Sequence, residues 1–259
     1  MPSSVIELSY FQVALGYIFV VILLFLLKRR GINRERELIL ASIRMTVQLV
    51  AVGFILMLLI DNPHPLITLL TVMVMISFAI LTIFKKFKTR LSVALKRVVV
   101  ISMVVGTVPV FLYFLWIVIG IEPYYSPRYF IPITGMIIGN SMTGISLGIH
   151  TMIERFNNRK EEIEEALILG ATPKEASHLI INDSFDAAIL PTLNTMLGMG
   201  IIFLPGMMTG QILSGIDPTM AILYQIGVML GILGGVSLTT YTFLQLGYIT
   251  FFNKQKQLN

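Results

Sequence analysis

The sequence contains no cysteine. Disulfides, thiolate metal sites and cysteine nucleophiles are therefore excluded. Charge is scarce as well. Asp, Glu, Lys and Arg make up 13% of the 259 residues, against about 25% in an ordinary soluble domain. A soluble fold of this length needs a charged skin, and this composition cannot supply one. A soluble enzyme, a nucleic-acid-binding module and a disordered chain are excluded on that ground. No Gly-x-x-x-x-Gly-Lys-Ser/Thr loop occurs, so the chain does not hydrolyse ATP by that route. There is no Ser/His/Asp constellation and no pair of intramembrane carboxylates to suggest a hydrolase. His64, His150 and His178 are too scattered to form one site.

What is abundant is apolar length. Hydrophobic residues are 56% of the chain and the mean hydropathy is +0.85. A helix needs about 20 mostly apolar residues to cross a bilayer. Seven runs of that kind are expected: 8–27, 38–60, 65–84, 98–121, 130–153, 187–213 and 219–252. The sixth is open to a break at Pro205-Gly206. The last is longer than one span needs, which predicts tilt or a helical extension. The first run carries no upstream Lys or Arg and no small-residue cleavage site, so it is expected to be retained rather than removed as a signal peptide. The fold class is all-α, one polytopic transmembrane domain over 1–259.

The basic residues orient it. Lys28, Arg29, Arg30, Arg34 and Arg36 fall in one loop, and Lys85, Lys86, Lys88, Arg90, Lys96 and Arg97 in another. Arg155, Arg159, Lys160 and Lys174 lie in a long polar stretch, and Lys254 and Lys256 in the tail. Only Arg128 falls on the opposite side, and Arg44 sits within a span. The N-terminus is expected outside and the C-terminus in the cytoplasm.

The polar stretch 154–190 reads as two helices about a glycine. Ile163, Ala166, Leu167 and Gly170 follow helical spacing, with acidic residues at the end where the helix dipole favours them. Gly170 suits a helix stop. Thr172-Pro173-Lys174-Glu175 restarts a helix, with Thr172 as N-cap, Pro173 at N1 and Glu175 completing a capping box. A second amphipathic helix then runs towards Pro191. The hairpin either lies on the membrane surface or docks on a cytoplasmic partner, and a short helix with a small apolar face suits a groove on another protein.

Glu164-Glu165-Ala166-Leu167-Ile168-Leu169-Gly170-Ala171-Thr172-Pro173, followed by Ile189-Leu190-Pro191, resembles the loop of ABC-transporter permeases that forms their coupling helix. About 20 residues separate Gly170 from Pro191, longer than the usual importer loop. Three further strings narrow the likeness: 131–142, containing Gly135-Met136-Ile137-Ile138-Gly139-Asn140-Ser141-Met142; Leu204-Pro205-Gly206-Met207-Met208-Thr209-Gly210; and Gly215-Ile216-Asp217-Pro218. With Arg44 and Gln48 they resemble the iron-export ABC permease family (FetB-type), to which the plant aluminium-sensitivity permeases are related. The resemblance covers nearly the whole chain. It implies a permease subunit exporting a metal cation, iron by the family's name. ATP and magnesium would then be bound by a separate ATPase, with no cofactor on this chain. The implied partners are that ATPase, a second copy of this chain and the lipid bilayer; nucleic acid is not expected. Two ATPases need two docking helices, hence a homodimer. Rival readings are an ABC importer permease for another small solute, a membrane scaffold and a self-powered secondary transporter. The last usually shows mid-span Asp or Glu, and none occurs here.

Within the spans, Arg44 and Gln48 share a helix face. Arg44 either snorkels to the interface, bonds a neighbouring helix or lines a path. Gly135, Gly139, Thr143, Ser146 and His150 fall near one stripe of the fifth run. Gly135/Gly139, Gly144/Gly148, Gly206/Gly210 and Gly227/Gly231 are small-x-x-x-small pairs that permit close helix approach. Asn140 and Asn194 are amides that need partners. Among 15 methionines, Met136, Met142, Met196, Met199, Met207 and Met208 cluster in runs five and six, as packing or as soft-metal contacts. Asp183 and Asp186 either are solvated or ring a cytoplasmic mouth for cations.

Overall fold

The computed structural model describes residues 8–88 and 91–258. Arg90, the first seven residues and Asn259 lie outside the described residues. The chain divides into two compact units, 1–62 with 213–215, and 63–212 with 216–259.

The first unit is a helical hairpin. Ser9 opens α1 (Tyr10–Gly16) with a capping box: its hydroxyl accepts from the Gln12 N–H at 3.3 Å, and its own N–H donates to Gln12 Oε1 at 2.7 Å. α1 continues past Tyr17 into α2 (Ile18–Arg30) as one apolar run. Gly31 closes α2 in the left-handed region, at φ +66°, where only glycine is unstrained. α3 (Glu35–Asp61) returns, with Glu35 and Glu37 in its first turn. The Tyr17 hydroxyl hydrogen-bonds Thr46 across the pair. Leu59 is the one buried side chain among α1, α2 and α3. That suits helices whose apolar sides meet lipid rather than protein.

The second unit holds the core. α4 (Pro65–Lys86) and α6 (Pro127–Asn158) start with proline in the first turn, where the missing N–H is not needed. α5 (Val93–Tyr113) is capped by Ser92 and runs into a π-helical turn, Phe114–Ile119. Pro109 lies five residues before that turn and removes a backbone donor from α5. Two short pieces follow, α7 (Lys160–Ile168) and α8 (Pro173–Ala176), and then the longer α9 (His178–Gly198). Then come α10 (Gly206–Leu213) and α11 (Pro218–Gly247), the last extended by a 3₁₀ turn to Phe251.

Named contacts fix the directions. The Thr68 hydroxyl at the start of α4 donates to the Tyr125 carbonyl at 3.2 Å. Phe111 near the end of α5 meets Phe130 near the start of α6, with centroids 5.9 Å apart. Tyr129 stacks on Tyr224 at 6.4 Å, and Phe156 stacks on Phe251 at 4.1 Å, so α6 and α11 run parallel. Arg155 meets Asp183 at 3.4 Å, which sets the start of α9 beside the end of α6. The chain from Asp183 to Tyr224 therefore travels the length of α6.

Among the described residues six helices are long and apolar enough to cross a membrane: 10–30, 35–61, 65–86, 93–119, 127–158 and 218–251. The expected sixth run, 187–213, is not one helix. α9 ends at Gly198, seven residues before the suspected Pro205-Gly206, and a turn fills the interval. Gly200 adopts φ +83° there, and its N–H bonds the Phe203 carbonyl at 3.0 Å. α9 also continues through Pro191 instead of stopping there.

Helices touch closely in this unit because small residues let them. A side chain at Gly106 would collide with the backbone of Thr239, and one at Gly144 would come within 2.8 Å of Val236. Ile133, Ile137, Ile145, Ile149 and Met152 of α6 are wholly buried against these neighbours. Between membrane helices the drive is van der Waals packing, not expulsion of water, so such close fits carry the stability. Several hydroxyls bond back to their own helix, as Ser146 does to the Met142 carbonyl at 2.8 Å.

Candidate functional site

Two places gather the residues singled out above. The first is the corner from α7 to α9. Its sharp turn is a Schellman motif: the Ala171 N–H reaches the Ala166 carbonyl at 2.9 Å and the Gly170 N–H the Leu167 carbonyl at 3.1 Å. Gly170 takes φ +94° to allow it. The Thr172 capping box is present, with the Thr172 N–H donating to Glu175 Oε2 at 2.8 Å and the Thr172 hydroxyl to the same oxygen at 2.7 Å. These bonds, the backbone one foremost, hold the exposed Glu175 carboxyl below its usual pKa.

The expected helix from Thr172 towards Pro191 is interrupted at Ser177 and resumes as α9. α8 is one turn, and the buried Ser177 ends it, its hydroxyl donating to the Pro173 carbonyl at 2.6 Å. The apolar face of α7 also points elsewhere than expected. Ile163 is 2% exposed and Leu167 packs on the same core, so that face stabilises this chain itself. Ala166 is half-buried. The outward apolar surface is Ile168 and Leu169, 84% and 88% exposed. Ile168 was missed because it breaks the helical period of its neighbours. Lys160–Glu164 (3.7 Å) and Arg159–Glu162 (3.8 Å) brace the helix flank. A groove of about 690 Å³ beside the corner is walled by Glu164, Thr172 and Pro173 on one side and by Lys256 and Leu258 of the tail on the other.

The second place is a cavity of about 200 Å³ bounded by α6, α9, the turn, α10 and α11. It brings together Met136, Asn140, Met199, Pro205, Gly206 and Met207, and adds Gln225 and Met229. Irregular backbone at membrane depth persists only where it is buried or lines a cavity, and the turn at Met199–Pro205 lines this one. Asn140 Nδ2 donates to the Met136 carbonyl at 2.8 Å. Gln225 is 6% exposed, and its Oε1 has no hydrogen-bond partner. The apolar run 219–252 carries two amides, Gln225 and Gln245, and such a polar side chain in an apolar run was the signal for Gln225.

The remaining expectations are dispersed. Met142 and Met208 pack on the core and do not line the cavity, whereas Met136, Met199, Met207 and Met229 do both. Asn194 is exposed outside it, and Asp186 is exposed. Asp183 is engaged by Arg155, and His150 by Glu154 at 3.6 Å. The α6 stripe does not share one environment: Ser146 is buried, Gly135 and Gly139 are half-buried, and Thr143 and His150 are exposed. Gly135 abuts Met75, and Gly227 and Gly231 face Phe114, whereas Gly139, Gly206 and Gly210 have no neighbour within 4 Å of an added side chain. Arg44 and Gln48 are exposed on α3 of the first unit. Among the described residues no three His, Cys, Asp or Glu converge as a metal cage.

Comparison with known proteins decides the family. A family model described as Uncharacterised protein family (UPF0014) matches residues 10–252. The chain belongs to the UPF0014 family. Its relatives include the UPF0014 membrane protein YjkA of Bacillus subtilis, 35% identical over 97% of this chain and 98% of that one. The probable iron export permease protein FetB of Escherichia coli is 32% identical over 95% of this chain and 93% of its own length. ALUMINUM SENSITIVE 3 of Arabidopsis thaliana is 30% identical over 95% and 88%. No solved structure matches the chain. This UPF0014 chain is thus a multi-pass, all-α membrane protein of permease type.

Proposed function

We propose that the chain is the permease subunit of an ABC transporter that exports a metal cation. ATP hydrolysis then belongs to a separate cytoplasmic subunit. The observation that carries this reading is the α7–α8 corner. Two adjacent aliphatic side chains stand in water at its tip, held there by a Schellman turn on one side and a capping box on the other. Burying a Leu or Ile side chain is worth about 1.5–3 kcal/mol, so a rigid corner of this kind gains by docking in a partner's groove. Basic residues at the same end, Arg155, Arg159 and Lys160, support a cytoplasmic location.

The traverse of the broken segment along α6 supports seven crossings: two in the first unit and five in the second. An odd count puts the N-terminus outside when the tail is inside. One chain supplies one docking corner, so a homodimer serves two ATPases. Iron as cargo rests on the name of the Escherichia coli relative.

The test is co-purification of the chain with its ATPase from membranes. The double variant Ile168→Glu, Leu169→Glu should insert and purify in normal yield yet lose the ATPase. Retention of the ATPase by that variant would overturn the docking role.

A further inference from the structure

We infer that the cavity between α6, α9, the broken turn and α11 is a cargo site for a soft, low-charge metal cation, with Cu(I) as its type. This rests on the reading of the chain as a cation permease and specifies what its path accepts. Met136, Met199, Met207 and Met229 line the cavity together, although they come from four different segments. Thioether sulfur is a soft donor that holds Cu(I) and suits Fe(III) or Al(III) poorly. Two amides, Asn140 and Gln225, and two threonines, Thr192 and Thr195, are the polar side chains of the lining. The Gln225 carbonyl oxygen is buried and has no partner, and a buried acceptor left unsatisfied is costly unless something occupies its lone pairs. Asn140 has its nitrogen committed to the Met136 carbonyl, which leaves its oxygen as the remaining acceptor.

Charge decides between cations. No Asp or Glu lines the cavity, so nothing there offsets a cation's charge. The cost of moving an ion from water into an apolar medium rises with the square of its charge, so a trivalent ion costs roughly nine times a monovalent one. Neutral soft donors without a counter-charge therefore select a monovalent soft ion and disfavour trivalent hard ones. The break in the helix serves the same site: the turn after Gly198 carries Met199 into the cavity, and α10 begins with Gly206-Met207 at its other side.

The test uses the full chain purified in detergent, without any ATPase. Cu(I) is supplied anaerobically against bicinchoninate as competing chelator, and ligation is read by X-ray absorption. One Cu(I) per chain with sulfur scattering is expected. The double variant Met136→Leu, Met207→Leu is near-isosteric; with an unchanged elution profile it should lose affinity by about tenfold or more. Gln225→Leu should also weaken binding. Met220→Leu, at an exposed methionine, should leave it unchanged. Fe(III) and Al(III) should not compete. Absence of Cu(I) binding in the wild type, full binding in the double variant, or equal loss in Met220→Leu each overturns the site. Export of iron without Cu(I) binding would overturn this inference and leave the permease reading standing. Cu(I) binding without ATP-driven transport would overturn the permease reading and with it the cargo role, leaving only a Cu(I) site.

Discussion

Single residues at the corner have separable jobs. Gly170 has open space around its Cα, so a side chain there is opposed by backbone geometry and not by collision. The left-handed conformation costs an ordinary L-residue about 1–2 kcal/mol. Gly170→Val should therefore loosen the turn and weaken ATPase retention, whereas Gly170→Asn, which tolerates that conformation, should keep most of it. Pull-down from membranes at matched expression distinguishes the two. Glu175 supplies a pH dependence. Its carboxyl has a folded pKa below the unfolded one, so the capping box contributes stability above the ordinary carboxylate pKa. That contribution is lost as pH falls through the lower, folded value. Protection of the α8 amides, taken relative to their intrinsic exchange rate at each pH, should be higher at neutral pH and fall under acid. Glu175→Gln should abolish that acid step.

Among elements, the helix contacts divide glycines into two groups. Gly106→Val places atoms against the Thr239 backbone and should prevent a stable fold, while Gly139→Ala meets nothing and should be silent. Melting temperature in detergent reads the contrast. The Arg155–Asp183 bridge between α6 and α9 has both side chains about two-fifths exposed. Such pairs contribute at most about 1 kcal/mol, so Asp183→Asn should alter stability little. Much of this level was legible in the sequence. Apolar runs of 20 or more residues place the long helices, and Thr172-Pro173-Lys174-Glu175 specifies its cap through local bonds alone. What was not legible follows from the solvent. A lipid-facing and a protein-facing side are both apolar, so periodicity does not tell them apart. Ile163 and Leu167 show the same limit in water: their spacing marks an apolar face but not whether the chain's own core or a partner covers it. The break at Gly198 was hidden because Met199 to Leu204 is as apolar as a helix interior. Met136, Met199 and Met207 stand out in runs five and six, but that they share a cavity with Gln225 and Met229 of the last run depends on tertiary packing that spacing does not show.

At the scale of the whole molecule, the absence of cysteine makes topology directly measurable. A single Cys at Glu122 should react with an impermeant reagent in intact cells, and one at Gln257 only after permeabilisation. Reaction of the Gln257→Cys protein from outside would contradict the seven-crossing path. The central claim is that the α7–α8 corner transmits ATP hydrolysis to a cation path in this chain. It is tested most directly by reconstituting the chain with its ATPase in proteoliposomes and measuring metal-stimulated ATP hydrolysis. The wild type should show hydrolysis that rises with metal, and the Ile168→Glu, Leu169→Glu variant should show only the unstimulated rate. Equal metal stimulation in the variant, or none in the wild type, would contradict the account.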